Sequence, residues 1–188
     1  MPYDQLVEGI LLAKGRSKEN SQDAWSEEMS EYVRRGSTAD FSERETMPHY
    51  WTRRSVNGNE KNEQKALAVA HSFLGIQLQC AQCHKHPFDQ WTQHDFNDFT
   101  QFFDRVGVSG GRVGFPQFEA ARQGRQIYWP QLQIRSGESQ ELGLLRSGDV
   151  TVKGNEDPRK PIMEWFRNPE NPWFARAFVN RVWAGYFH

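Results

Sequence analysis

The segment "HSFLGIQLQCAQCHKHPFDQWTQHDFNDFTQFF" (residues 71–103) holds both cysteines of the chain and lies across two helix-like patterns. Before the cysteines, "EQKALAVAHSFLG" repeats apolar residues at helical spacing, with Asn62 as a candidate N-cap and Gly75 as a suitable end. After them, Thr92 and Asp95 form a capping-box pattern, and phenylalanines recur at positions 96, 99, 102 and 103. These patterns predict a helical domain built around the cysteine motif.

The cysteine motif reads Cys80-Ala81-Gln82-Cys83-His84, which is CxxCH. On a helix, Cys80, Cys83 and His84 stand at positions i, i+3 and i+4 and share one face. Two thiols at this spacing suit the two vinyl groups of haem, and the adjacent imidazole suits the iron as its proximal ligand. The spacing therefore predicts covalent haem c, with Cys80 and Cys83 in thioethers and His84 on the iron.

Other interpretations of the same motif stay open. Zinc normally takes four ligands, so His84 and His86 would have to join the two cysteines in a metal site, with His94 as a further candidate. A redox-active CxxC is expected in a βαβ unit, whereas this one follows a helix. A disulfide or a plain dithiol also fits the spacing.

A low-spin haem c usually has a second axial ligand, and several side chains are candidates for it. The sequence does not select one of them. His71 shares an apolar helical face, which is typical of a satisfied, partly buried histidine. His94 is expected to be exposed, Met163 is expected to fill the core, and the phenylalanine stripe is more typical of core than of a haem wall. The candidates are Met47, His49, His71, His86, His94 and Met163.

Composition excludes several classes of function. The 188 residues include 23 Lys and Arg against 24 Asp and Glu, so the net charge is close to zero. Such a chain has no general attraction for nucleic acid or anionic lipid. No apolar run approaches the roughly 18 residues of a transmembrane helix. No phosphate-binding loop or catalytic constellation is evident, so no catalytic residue is assigned and the question of an enzyme stays open.

Further from the motif, the sequence predicts more helices and a small β insertion. Residues Tyr3–Lys14 and 26–35 have amphipathic helical patterns, and the glycine-rich residues 107–114 break the helical periodicity. Alternating apolar and polar residues predict short strands within 124–153. The fold class expected is therefore mainly α with a small β insertion, α+β.

Two helices are predicted after the β insertion, in "PIMEWFRNPENPWFARAFVNRVWAGYFH". Asn171 is a natural N-cap for the second helix, and Pro172 suits its first position. This helix is very apolar and lacks a terminal cap, which is the expectation for a fragment of a longer protein.

Residues 71–103 closely resemble the planctomycete cytochrome-like proteins, which pair domain of unknown function 1549 with domain of unknown function 1553. The part from Leu74 to Trp91 carries the resemblance most clearly. "MPYDQLVEGIL" resembles an internal segment of the first domain, and "RKPIMEWFRNPENPWFARAFVNRVWAGYFH" resembles the opening of the second. The resemblance implies a first domain over residues 1–154, followed by a linker and a truncated second domain over 155–188.

The resemblance also implies a function outside the cytoplasm. Such proteins usually carry export signals, and haem attachment itself requires export, so a periplasmic location is expected. Electron transfer with a redox partner protein is the expected activity. The alternative is a metal-binding or disulfide-clipped scaffold linked to surface polymer metabolism, and a weaker alternative is an enzyme whose catalytic groups lie in the second domain.

Overall fold

The structure is a computed structural model that describes residues 1–15, 24, 28, 31–32, 36–40, 47, 50–51, 61–113 and 127–187. The chain divides into two compact units. The first contains the described residues of 1–59 and 108–133, and the second those of 60–107 and 134–188. Helices and two small sheets together confirm the predicted α+β class.

The first unit contains helix α1 (Tyr3–Leu11), whose inner face buries Val7. The indole Nε1 of Trp51 donates a hydrogen bond of 2.8 Å to the carbonyl of Ile10, which fixes a buried aromatic ring against the helix. The helix predicted to reach Lys14 stops earlier, because Leu12 has already left helical φ and ψ. The helix predicted at 26–35 lies largely outside the described residues.

In the second unit, helix α2 (Asn62–Val69) continues into a π-helical turn over Ala70–Leu74. Gly75 ends this helix in the left-handed region, with φ 67°, as its sequence position predicts. The predicted N-cap is wrong, since Asn62 is already the first helical residue. Its side-chain amide instead donates to Asp104 Oδ1 at 2.6 Å, so a tertiary contact uses the group that would have capped the helix.

Helix α3 (Gln93–Gln101) begins with the predicted capping box. Thr92 Oγ1 accepts a hydrogen bond of 3.2 Å from the Asp95 backbone N–H, and Asp95 Oδ2 accepts one of 2.8 Å from the Thr92 N–H. The phenylalanine stripe is ordinary core, as expected. Its members are all buried: Phe96, Phe99, Phe102 and Phe103.

Four strands form two two-stranded sheets: β1 (Val106–Val113) with β2 (Ile127–Ile134), and β3 (Gln140–Gly143) with β4 (Asp149–Val152). In the antiparallel second sheet, Gln140 lies opposite Val152. The strands β2, β3 and β4 fall within the region predicted to be β-rich. The glycine-rich residues 107–114 were predicted only to break a helix, but most of them lie in β1, because pairing with a distant strand is not visible locally.

Helices α4 (Lys160–Arg167) and α5 (Pro172–Phe187) complete the second unit. Asn171 caps α5 as predicted, since its Oδ1 accepts hydrogen bonds from the backbone N–H groups of Trp173 at 2.9 Å and Phe174 at 3.3 Å. The ring of Phe166 stacks on Phe174 with centroids 5.0 Å apart. This contact joins the buried faces of the two helices.

The C-terminal half of α5 exposes a row of large apolar side chains. The guanidinium of Arg181 donates to the backbone carbonyls of His71 and Ser72, which fastens this part of α5 to the π-helical turn. No helix among the described residues has the length and apolar character required to cross a membrane. The exposed side chains are Phe178, Val179, Val182, Trp183, Tyr186 and Phe187.

Candidate functional site

The CxxCH motif lies on a short 3₁₀ helix, Gln79–Gln82, within the second unit. Leu78 and Ala81 are fully buried and anchor this turn to the core. Cys80 and Cys83 are both free thiols and both exposed. The buried residues recur every three positions, which leaves both cysteines on the solvent side of the turn.

The turn holds the two cysteines in different backbone positions. Cys80 lies within the 3₁₀ helix, whereas Cys83 is its C-cap, with φ −112° and ψ −30°. The His84 backbone N–H donates to the Cys80 carbonyl at 3.4 Å, which extends the turn to the histidine. A short 3₁₀ turn thus replaces the predicted α-helical geometry of the motif.

The imidazole of His84 has a defined tautomer. Its Nδ1 lies 2.6 Å from the backbone carbonyl oxygen of Lys85. A carbonyl only accepts hydrogen bonds, so Nδ1 carries the proton and the lone pair is on Nε2. Metal-ligating histidines typically donate one ring N–H to a carbonyl and bind the metal through the other nitrogen. The exposed His84 side chain is therefore prepared to act as a ligand.

His86 has the opposite arrangement. The backbone N–H of Phe88 donates to His86 Nδ1 at 3.2 Å, so this nitrogen is unprotonated and the neutral ring carries its proton on Nε2. The lone pair of His86 is thus engaged within the loop. Within the described ranges, no three side chains of His, Cys, Asp or Glu form a group arranged to hold a metal ion.

Three candidates for the second axial position lie in different surroundings. His71 is exposed, whereas its sequence pattern predicted partial burial; the π-helical turn at Ala70–Leu74 changes the periodicity on which that prediction depended. Met163 is buried in the core face of α4, as expected. His94 is exposed, also as expected, and its Nδ1 lies 3.3 Å from Asp98 Oδ1.

The other candidates add no second ligand with a defined geometry. Met47 is partly buried in the first unit, and its backbone N–H donates to the Gly9 carbonyl at 2.8 Å. His49 lies outside the described residues. Among the described candidates, no distal ligand is therefore assigned.

The loop after the motif is closed by contacts that local patterns do not reveal. The His86 backbone N–H donates to the Trp91 carbonyl at 2.8 Å, and Arg146 Nη1 donates to the Gln90 carbonyl at 3.1 Å. Arg146 comes from the β3–β4 turn, where it and Leu145 adopt positive φ values of 65° and 39°. The turn sequence lacks the usual Asn-Gly signal, so the role of Arg146 was not predicted.

Beneath this loop lies an aromatic layer. Trp91 is buried, and its ring centroid is 5.5 Å from that of Trp173, which is in turn 6.0 Å from that of Trp165. The start of helix α3 is also hydrogen-bonded to the motif, because Gln93 Nε2 donates to the Gln82 carbonyl at 3.0 Å. The exposed cysteine and histidine side chains therefore lie on a turn that is packed against aromatic rings.

The described part of the second unit is thus a helical unit that exposes a CxxCH turn above buried aromatic rings. Among known families, the matching model is PSCyt2, described as a protein of unknown function (DUF1549), and it matches residues 1–107, which include the motif. The chain belongs to this family, and the predicted resemblance to domain of unknown function 1549 is confirmed over those residues. No curated protein and no solved structure matches the chain.

Proposed function

We propose that the protein binds haem c through Cys80, Cys83 and His84 and transfers electrons outside the cytoplasm. The observation that carries the proposal is the combination of two free, exposed thiols three residues apart with an exposed imidazole whose Nδ1 bonds the Lys85 carbonyl and leaves the lone pair on Nε2. This donor set fits the chemistry of covalent haem attachment. When bound, haem would supply a one-electron couple.

The residues of the motif would act in distinct ways. The sulfur of each cysteine would add to a vinyl group, bonding one vinyl carbon while the thiol hydrogen goes to the other carbon. His84 would present Nε2 to the iron, with its ring orientation held by the Lys85 carbonyl. Exposure and axial ligation set the reduction potential in such sites. Exposure of the motif also leaves room for a redox partner protein to approach.

The location and the longer context of the chain belong to the same proposal. Covalent haem attachment occurs outside the cytoplasm, so a periplasmic location follows from the proposed chemistry. A planctomycete origin and a following domain of unknown function 1553 rest on sequence resemblance. The domain limits of 1–154 and 155–188 likewise stay predictions.

The pyridine haemochrome spectrum tests the proposal most directly. The chain would be exported in a host with cytochrome c maturation, then denatured and extracted with acid acetone. We expect colour that stays with the protein and is lost in the double variant Cys80→Ala/Cys83→Ala. Gln79→Ala, an exposed change on the same turn, is the matched control and should keep the colour.

A colourless protein from that host would contradict the haem proposal. Metal analysis and thiol counting on the same sample would then decide between the alternatives. Bound zinc would favour a metal-binding scaffold that includes His86, and loss of both thiols without metal would favour a disulfide-clipped module. A surface polymer would then be the first class of ligand to test.

A further inference from the structure

The C-terminal half of α5 exposes large apolar side chains to solvent. Every residue from position 178 to position 187 is exposed, and only Asn180 and Arg181 among them carry amide or charged side chains. A helix that is apolar over most of its surface is normally buried, and contiguous exposed apolar patches mark interaction sites. Exposure is greatest for Tyr186 at 81 %, Phe187 at 65 % and Trp183 at 60 %.

These side chains lie opposite the face that holds α5 to its own unit. On the inner face, Ala177 is buried and Arg181 donates to two backbone carbonyls of the π-helical turn. Two positions after each of them come Val179 and Trp183, which lie about 200° further around an α-helix. The contacts that fasten α5 to the unit therefore direct the apolar side chains away from it.

The outer face of α5 consists of Val179, Val182, Trp183, Tyr186 and Phe187. Val179, Val182 and Tyr186 stand at i, i+3 and i+7, which is the spacing of the contact positions in paired helices. The rings of Trp183 and Phe187 already pack on each other, with centroids 4.2 Å apart. This spacing suits a second helix laid along the outer face.

The exposed area of the outer face is sufficient for a dimer. A whole aromatic side chain buries about 150–250 Å², so Trp183, Tyr186 and Phe187 at their observed exposures offer about 300–500 Å². Val179 and Val182, exposed at 57 % and 42 %, add to this area. A standard interface takes about 800 Å² from each partner, of which about 65 % is apolar in homodimers. The outer face thus supplies most of the apolar area that one partner needs.

We propose that the outer face of α5 is a dimer interface, at which the α5 helices of two copies of this chain pack antiparallel about a two-fold axis. Arg176 is exposed three positions before Val179. A parallel pair would place the two Arg176 guanidinium groups side by side. An antiparallel pair centred on the outer face separates them by about 20 Å along the helix axis, beyond the screening length of about 8 Å at physiological salt.

The two-fold symmetry fixes which residues meet. The same residues lie on both sides of such an interface. With the axis between positions 182 and 183, Val182 lies opposite Trp183 of the second copy, and Val179 lies opposite Tyr186 of the second copy. The inference is independent of haem, and the dimer carries two CxxCH motifs.

Sedimentation of the complete chain without haem tests the interface. A reductant keeps the free thiols of Cys80 and Cys83 from crosslinking two copies. We expect a monomer–dimer equilibrium with a dissociation constant of about 1 µM or lower. Trp183→Glu, which puts two carboxylates beside the axis, should raise this constant at least about 30-fold. Phe88→Glu, at an exposed phenylalanine outside α5, is the matched control and should leave it unchanged.

A mixing experiment tests the antiparallel orientation. Val179→Lys and Tyr186→Glu should each weaken self-association when measured alone. A mixture of the two variants should form a heterodimer more tightly than either variant pairs with itself, because an antiparallel pair brings the lysine opposite the glutamate. Far-ultraviolet circular dichroism would confirm that both variants fold. Equal weakness of the mixture and of the separate variants would refute this orientation.

Four outcomes would overturn the interface itself. A monomer at every concentration would refute it, and binding of that monomer to neutral phosphatidylcholine vesicles would assign the face to lipid instead. Association that continues beyond the dimer, or that Trp183→Glu leaves unchanged, would also refute it. A longer polypeptide that extends past position 188 and sediments as a monomer would assign the covering residues to its own chain. None of these outcomes alters the haemochrome result, so the proposed function is tested separately.

Discussion

Two neighbouring regions of the second unit use similar residues for opposite purposes. The exposed segment, Gln79–Gln90, presents two thiols, the His84 imidazole and the ring of Phe88 to solvent, while His86 is half-buried and Ala81 is buried. The aromatic layer below it buries Trp91 and Phe99 together with Trp165 and Phe166 of α4 and Phe174 of α5. Composition is therefore a poor guide to role, because the backbone path decides which phenylalanine stabilises the fold and which one is available to a ligand.

Within the exposed segment, the largest expected difference is between the variants that lack the His84 imidazole and those that lack the His86 imidazole. If haem binds as proposed, we expect His84→Ala to change the absorption spectrum through loss of the proximal ligand, while His86→Ala keeps the wild-type spectrum. The physical reason is that Nε2 carries a lone pair in His84 and a proton in His86. Optical spectra of both variants, normalised to haem content, would show the difference.

The tautomers themselves can be measured without haem. Correlation of imidazole nitrogen and carbon-bound proton resonances at about pH 8, where imidazoles are generally neutral, should show a protonated Nδ1 in His84 and a protonated Nε2 in His86. Equal tautomers for the two rings would contradict the ligand assignment made from the hydrogen bonds.

Replacing one phenylalanine in each region by alanine should lower the free energy of unfolding by very different amounts. Phe99→Ala should lower the free energy of unfolding by about 3–5 kcal/mol, because the ring is fully buried and packs on Phe103 and Trp165. Phe88→Ala should change it by less than about 0.5 kcal/mol, because the ring contributes little to the core. Urea unfolding followed by Trp fluorescence would measure both; similar losses would show that the loop contributes to folding.

A close backbone contact between Gly137 and Gly154 gives a smaller expected loss of stability. An alanine Cβ at position 154 would overlap the carbonyl oxygen of Gly137, where two loop segments cross. Arg105 Nη1 also donates to the Gly154 carbonyl at 2.6 Å, so the segment cannot move away freely. Gly154→Ala should destabilise the protein by more than about 1 kcal/mol. Gly148→Ala is not an equivalent control, because Gly148 has φ 94°; Ser136→Ala, at an exposed loop position, serves instead.

The smallest expected effect concerns a half-buried carboxyl. Burial raises the pKa of Asp104 above its ordinary value of 3.8, opposed by the hydrogen bond from Asn62. Because the folded-state pKa is raised, the contribution of Asp104 to stability is fully present below pH 3.8 and is lost as the pH rises through the raised value. Asp104→Asn should remove this decrease in stability with rising pH, whereas Asp89→Asn in the exposed segment should retain it. Unfolding in urea between pH 3 and pH 7 would compare the two; an unchanged profile in Asp104→Asn would contradict the assignment.

Local patterns predicted much of the helical framework. The capping box at Thr92, the end of α2 at Gly75 and the start of α5 at Asn171 all depend on side chains within a few residues of the groups that they satisfy. The strand β1 was missed because its hydrogen bonds go to residues about twenty positions away. The exposure of His71 was missed because a π-helical turn changes the helical period.

The sequence by itself determined the donor set of the candidate site: the spacing of Cys80, Cys83 and His84 follows from the order of residues alone. Tertiary structure decided how these donors are presented. Burial of Leu78, Ala81 and Trp91 turns the thiols outward, and hydrogen bonds to Lys85 and Phe88 assign opposite tautomers to the two histidines. The physical reason is that covalent order fixes which groups are near one another, whereas the path of the folded backbone decides which side chains are buried and which ring nitrogen meets a carbonyl or an N–H group.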